Sequence, residues 1–422
     1  MRNGSLKIGF VSTRLSGTDG VSLEVDKWVR VLNELGHECY CFAGESDWPE
    51  ERCFIVEEAH FKHPDNQAIH RQLFEVQQRD DQTAARIRRM ATHLKDKLEE
   101  FVQAFGLDLL ILENAWSLPM NIPLGLALNW YIGNRQMPAI GHHHDFWWDR
   151  ERFLGAPVND YLEQSFPSTH TWVQHVVINS LDRRQLSYRK GISATLIPNV
   201  MDFENPPAED DGYACDMRME LDIPDDRYFL LQPTRIVPRK RIEQSMELVR
   251  RLEAPATLVI SHEAGDEGME YKHYLEGVAE RLQVDVRFAS GRFQQERATD
   301  GEGKKIYSLA DAYRQCDLVT YPSSVEGFGN AFLEAVYYKK PLVMSNYEIF
   351  KLDIEPKGFD VVCFQYFIPD DIVKKTRDLL GEPGRIEECV ERNYHIGERY
   401  YSLRTVKQRL QAVLDESLGT LG

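Results

Sequence analysis

Short apolar runs and amphipathic stretches alternate along this chain. Runs of about five or six residues, mostly aliphatic, fall at 7–12, 38–42, 107–112, 137–141, 175–179, 228–232, 256–260, 284–288, 316–321 and 341–345. Continuous runs of this length fit strands buried on both faces of a parallel sheet. Between them, apolar residues recur at helical spacing over 23–35, 82–101, 240–252, 306–315, 331–338 and 402–418, and from 122 and 180 onward. Ser180 and Ser402 stand where helix N-caps are expected. The stretch 45–105 is the least informative apart from the helical spacing over 82–101. Residues 294–305 are polar and contain glycine, which predicts a mobile loop. Strand–helix alternation in both halves predicts two doubly wound, Rossmann-like α/β domains facing a central cleft. The proline-rich acidic stretch 205–212 marks the boundary, giving domains 1–204 and 205–395.

One stretch combines pattern with chemistry. The apolar run ending at Tyr321 leads into a loop containing Gly327 and Gly329, then into a helix that starts near Asn330. Unpaired N–H groups at a helix start attract an anion, and glycines let a ligand approach the backbone. Glu326 lies in the loop and Glu334 about one to two turns into the helix. Ionised carboxylates accept hydrogen bonds and so suit hydroxyls. Phosphate in the middle with hydroxyls at both ends is the layout of a nucleotide sugar. In an earlier strand–helix unit, Arg235 and Lys240 follow the run 228–232 and add two cations suited to a diphosphate.

Composition narrows the class. A length of 422 residues suits two cores, and 42% hydrophobic with 28% charged residues is globular. The net charge of -17 disfavours nucleic acid and anionic lipid as general partners. No apolar run nears the roughly 20 residues of a membrane helix, and the first residues lack a signal-peptide core. Seven scattered cysteines, with no CxxC, fit a reducing compartment, so a cytoplasmic protein is expected. The run His142-His143-His144-Asp145 invites a metal reading. Alternation along a strand, however, sends His142 and His144 to one face and His143 to the other, so no metal ligands are assigned.

The spacing Glu326-x7-Glu334 resembles the donor-site motif of retaining GT-B glycosyltransferases, in particular glycosyltransferase family 4. The resemblance extends to the first loop, to the strand end at 142–145, to Ile197-Pro-Asn-Val-Met-Asp202 and to Thr234-Arg-Ile followed by Lys240-Arg. It implies that Glu326 faces the transferred sugar and Glu334 the ribose. Gly327, Phe328, Gly329 and Asn330 would meet the donor, with Arg235 and Lys240 on its diphosphate. Gly20 would be a further backbone donor, although Asp19 replaces the first glycine of the usual pair. His144 matches the histidine placed near the reacting bond. Arg14, Asp19, His143 and Asp145 are the candidates for the acceptor. A C-terminal helix over 396–422 would cross back to the first domain. The nucleotide sugar is a co-substrate; no cofactor is firmly implied, and a divalent metal is compatible with the fold without being required. The first loop and the histidine run look similar to a bacterial subgroup that uses GDP-mannose and a small anionic acceptor such as glucosylglycerate. The other readings are a nucleotide-sugar epimerase or phosphorylase of GT-B fold, or a non-catalytic nucleotide-sugar sensor.

Overall fold

The computed structural model describes residues 4–17, 19–76, 78–264 and 269–419. The chain forms two compact units: residues 1–199 with 403–422, and residues 200–402.

Unit 1 is built on a seven-stranded parallel sheet. Its strands are β1 (Lys7–Val11), β2 (Glu38–Ala43), β3 (Cys53–Ile55), β4 (Leu109–Glu113), β5 (Ala139–His143), β6 (Val173–Val177) and β7 (Thr195–Leu196), in the order β3-β2-β1-β4-β5-β6-β7. Its helices up to residue 199 are α1 (Gly20–Glu34), α2 (Pro64–Phe74), α3 (Asp81–Phe105), α4 (Ile122–Arg135), α5 (Asn159–Ser165) and α6 (Ser180–Lys190). The stripe Ile87, Met90, Ala91, Leu94, Leu98 and Phe101 on α3 is buried, as its spacing predicts. The strand order reverses between β1 and β4. Ligands of open α/β sheets sit at such a reversal, beyond the C-terminal strand ends.

Unit 2 has a six-stranded parallel sheet of β8 (Tyr228–Gln232), β9 (Ala256–Ile260), β10 (Val286–Phe288) and three later strands. A small separate sheet intervenes, with β11 (Phe293–Gln294), β12 (Ala298–Thr299) and β13 (Lys305–Ser308). The main sheet then continues with β14 (Leu318–Tyr321), β15 (Leu342–Ser345) and β16 (Val362–Phe364), in the order β10-β9-β8-β14-β15-β16. The helices are α7 (Met217–Glu220), α8 (Ile242–Arg251), α9 (Glu270–Leu282), α10 (Leu309–Gln315), α11 (Asn330–Tyr337), α12 (Asp370–Gly381) and α13 (Pro383–Tyr401). Here the order reverses between β8 and β14, so the loops after these two strands flank one crevice. Helix α14 (Leu403–Gly419) follows Ser402 directly and belongs to unit 1, where it packs on α1 and β6.

Two local expectations change. Asn179, not Ser180, caps α6: its Oδ1 accepts from the Asp182 amide at 2.7 Å. Asparagine is at least as good a cap as serine, and it lies one residue nearer the strand. The stretch 294–305 is paired rather than loose. Ala298 and Thr299 run antiparallel to Ile306 and Lys305. Arg297 pins the stretch by donating to both oxygens of buried Asp311, at 3.0 and 2.6 Å, and to Asp211. Ion pairs between residues distant in sequence leave no periodic trace.

Candidate functional site

In unit 2 the crevice at the β8/β14 reversal gathers the predicted donor residues. The loop after β8 and the loop after β14 are tied together. The Ser324 amide donates to the Arg239 carbonyl at 2.8 Å, and the Arg239 guanidinium donates to the Val325 carbonyl at 3.1 Å. Arg241, at φ 48, turns the first loop into α8 and leaves Lys240 buried beneath it. Lys240 Nζ forms an ion pair with Glu326, and Arg239 holds the other carboxylate oxygen at 3.1 Å. The Glu326 side chain is only 9% exposed. Burial alone would raise its carboxyl, but Lys240 and Arg239 outweigh this and hold it at about 2. Glu326 is therefore an anion with cations already on it.

The cationic field extends further. Arg235 is exposed and makes no ion pair with a described residue. His262, just beyond β9, is pushed down to about 4 by burial and then by Lys240 and Arg235. It is a neutral imidazole in a positive corner, with Nδ1 at 2.9 Å from Ser261 Oγ. Sequence reading missed Arg239 and His262. Arg239 was visible in the basic cluster 239–241, whereas His262 carried no signal.

The glycine loop is built tightly. Gly329 caps α11 at φ 120, a conformation that strains any residue with a Cβ. A Cβ there would overlap the buried Tyr347 hydroxyl, which donates to the Phe328 carbonyl at 2.7 Å. Phe328 was expected to meet a ligand. Its ring is 3% exposed and packs edge-on against Tyr401 at 5.3 Å, so its side chain belongs to the core and only its backbone remains for that role. Gly327 and Asn330 flank it, and Asn330 is the first residue of α11. Glu334 lies on α11, where Tyr313 Oη donates to its Oε2 at 2.8 Å; Tyr313 in turn stacks on Tyr338 at 5.1 Å. Tyr313 thus fixes the second carboxylate.

In unit 1, alternation along β5 places the histidines as expected. His142 Nδ1 lies 3.1 and 3.0 Å from the two oxygens of Glu113, and His144 Nε2 lies 3.3 Å from Glu113 Oε2. The β4–β5 register pairs Glu113 with His142, which brings the carboxylate beside the ring. His142 also stacks on Trp28 at 4.0 Å. Burial alone would raise the Glu113 carboxyl; His142 and His144 hold it at about 2. Burial alone would lower His144, but Glu113 turns this into a net rise above the ordinary imidazole value. Asn114, at φ 56, staples the strand end: its Oδ1 accepts from the His144 amide at 3.2 Å and its Nδ2 donates to Asp145 at 3.3 Å. Glu113, His142 and His144 each offer one donor atom, all within 4.8 Å, a set a divalent ion could use. The Glu113 contacts, at 3.0 to 3.3 Å, are also hydrogen-bond distances, while the buried His142 Nε2 has no hydrogen-bond partner among the described residues.

His143 points the other way. Its Nδ1 is 2.6 Å from Ser117 Oγ and its Nε2 is 2.9 Å from His175 Nδ1, and the ring is wholly buried. Both ring nitrogens are spoken for inside the protein, so the acceptor contact expected of His143 gives way to a core role. Asp19 likewise has structural work. It caps α1, accepting from the amides of Val21 at 3.0 Å and Ser22 at 3.3 Å, and it pairs with Arg14 at 3.1 Å. Gly20 is the first residue of α1. Arg14 remains partly exposed and also lies over the Phe61 ring at 5.4 Å. Asp145 accepts from Arg150 Nε at 2.9 Å.

The Glu113–His144 pair gives a direct expectation. Glu113→Gln removes the negative charge that holds the His144 proton, and burial then dominates. The NMR titration midpoint of His144 is expected above 6.5 in the wild type and clearly lower in the variant. An unchanged midpoint would contradict the pairing. Because the folded value is raised, the stability that His144 contributes is complete below 6.5 and is lost as pH rises through the folded value.

Together, unit 2 offers a cationic corner of Arg235, Arg239 and Lys240 around Glu326, with Glu334 held by Tyr313, and unit 1 offers a carboxylate-oriented histidine. Comparison with known proteins gives the family. A family model described as glycosyl transferases group 1 matches residues 216–396. The chain is 34% identical, over 98% of its length and 100% of the relative, to the mannosylglucosylglycerate synthase of Thermotoga maritima. It is 32% identical, over 94% of its length and 99% of the relative, to the mannosylglucosylglycerate synthase of Petrotoga mobilis. Among solved structures, Anabaena HepE in complex with UDP-glucose superposes with a TM-score of 0.67 at 12% identity, covering 97% of this chain and 99% of that one. The chain belongs to the group 1 glycosyltransferases, and its two parallel-sheet units are those of the GT-B fold.

Proposed function

We propose that the enzyme is a retaining, family 4-type hexosyltransferase that moves mannose from GDP-mannose to a small soluble anionic acceptor such as glucosylglycerate. UDP-glucose is the runner-up donor. The observation that carries this reading is the near-full-length likeness to two proteins named mannosylglucosylglycerate synthase. Among the described residues no helix is long and apolar enough to cross a membrane.

The residues fit the chemistry. Breaking the sugar–phosphate bond places negative charge on the leaving diphosphate. Lys240, Arg235 and the backbone around 327–330, with Gly20, would stabilise that charge, and fixed cations do so with little reorganisation. Glu326, already ionised, would orient the transferred sugar through its hydroxyls, and Glu334, steadied by Tyr313, would hold the ribose. His144 would sit beside the reacting carbon, with Glu113 fixing its ring. No carboxylate is assigned as a nucleophile; in a front-face reaction the leaving phosphate oxygen takes the acceptor proton. No step requires a metal ion.

Thermal stabilisation by GDP, UDP, ADP and their sugar conjugates tests the donor site. A ligand at about 100 times its dissociation constant stabilises by roughly 2.7 kcal/mol, a readable melting shift. The guanosine compounds are expected to give the largest shift, and Glu334→Ala to reduce it. A folded sample that responds to none of them would overturn the donor assignment.

A further inference from the structure

A second concavity lies wholly in unit 1. It has a volume of about 310 Å³ and is lined by Phe61, Gln67, His70, Arg71, Met120 and Arg152. Gln67, His70 and Arg71 share one face of α2 through their i, i+3, i+4 spacing. Met120 comes from the loop after β4, and Arg152 from the segment after β5. All are at the C-terminal side of the sheet, where α/β units take ligands.

Its chemistry is one-sided. Arg71 is exposed and makes no ion pair with a described residue. Arg152 lies over the Phe153 ring at 4.7 Å, with Nη2 at 3.4 Å from Met120 Sδ. His70 is lowered by burial and then by Arg152, against a smaller opposing pull from Glu75, so at neutral pH its ring can share a hydrogen bond without adding charge. Nearby, Arg14 and Lys62 both lie over the Phe61 ring, at 5.4 and 5.7 Å. Of the nearby carboxylates, Asp19 pairs with Arg14, Asp65 with Arg86 and Glu45 with His60, which leaves Glu75 as the acidic group acting on His70. A protein of net charge -17 repels small anions over most of its surface, so an anion that binds it needs a local basic site. Phe61 and Met120 add an apolar wall of the kind sugar C–H faces pack on, and the volume matches the lower end of small-molecule sites.

We propose that this concavity is the subsite for the acceptor's carboxylate: Arg71 and Arg152 clamp the carboxylate, and Gln67 and His70 meet neighbouring hydroxyls. The assignment rests on the reading of an anionic acceptor and adds where on the chain its charge is recognised.

The test compares glucosylglycerate with its carboxyl-reduced, neutral analogue, using wild type, Arg71→Gln and Arg152→Gln. Each substitution is expected to raise KM for the charged acceptor roughly 10–100-fold, as losing a charge-assisted hydrogen bond does. The preference for charged over neutral acceptor collapses in the same proportion. Both arginines are exposed, and the ratio is internal to each variant, so a partly unfolded fraction cannot mimic the effect. Unchanged preference in both variants would overturn the subsite. Calorimetric titration of glucosylglycerate separates the two readings. Binding to wild type that is lost in the variants supports the subsite even where turnover fails, and equal binding overturns it. Absence of turnover with any anionic acceptor would instead count against the proposed function.

Discussion

Lys240→Ala is expected to lower kcat by roughly 10²–10³-fold, the scale seen when one stabiliser of developing negative charge is removed. The same variant should also lose about 3–5 kcal/mol of stability, because it removes a cation from the almost buried Glu326 and leaves Arg239 to balance its charge. The two effects separate in Lys240→Met/Glu326→Gln. That double variant no longer buries an uncompensated charge, so its stability should recover while its rate stays low. The sign of the pH dependence follows from Glu326. Its carboxyl is held at about 2 against an ordinary 4.5, so its contribution is present above 4.5 and is lost as pH falls toward 2. Wild type should therefore show the steeper loss of stability over this range in urea melts, and the double variant a flatter one. A Lys240→Ala enzyme within threefold of wild-type kcat would remove Lys240 from the chemistry.

Gly329→Ala is expected to be the most damaging single-methyl change in the donor loop. It adds a Cβ at φ 120, against the buried Tyr347 hydroxyl and 3.1 Å from its Cζ. Backbone strain costs about 1–3 kcal/mol, and overpacking adds a comparable amount, so a loss of about 2–4 kcal/mol is expected. Tyr347 is 3% exposed and has no room to swing aside. Because Gly329 sets the start of α11, nucleotide-sugar affinity should fall as well. Tyr347→Phe removes the hydroxyl that a new methyl would strike, at the cost of its hydrogen bond to the Phe328 carbonyl. The double variant should then be more stable than the sum of the two single changes predicts. Strict additivity in denaturant melts would mean that the loop, not the contact, absorbs the methyl.

The donor side was legible because its signals are local. A buried strand, two glycines and a helix start within about 15 residues announce an anion site, and β14, the loop and α11 follow that order. The central strands of both sheets were legible for a similar reason, since strands buried on both faces read as unbroken apolar runs, whereas the short edge strands β3, β7 and β16 lie outside the predicted runs. What was not legible depends on strands meeting. Glu113 joins His142 and His144 only through the β4–β5 register, so no spacing in the sequence links them. Alternation separated His143 from its neighbours correctly. It could not reveal that Ser117 and His175 wait on the other side to bond both ring nitrogens. Phe328 sits inside a motif and looked functional. Its burial against Tyr401 depends on a residue 73 positions later. The basic concavity was equally hidden, because its lining comes from three segments between Phe61 and Arg152.

The most direct test of the central claim is a proton NMR time course of wild-type enzyme with GDP-mannose and glucosylglycerate, with UDP-glucose run in parallel. The expected result is release of GDP together with a mannosylated product whose new anomeric proton has the α configuration of the donor, and a slower or absent reaction with UDP-glucose. A β-configured product would contradict retention, and transfer from UDP-glucose but not from GDP-mannose would contradict the donor.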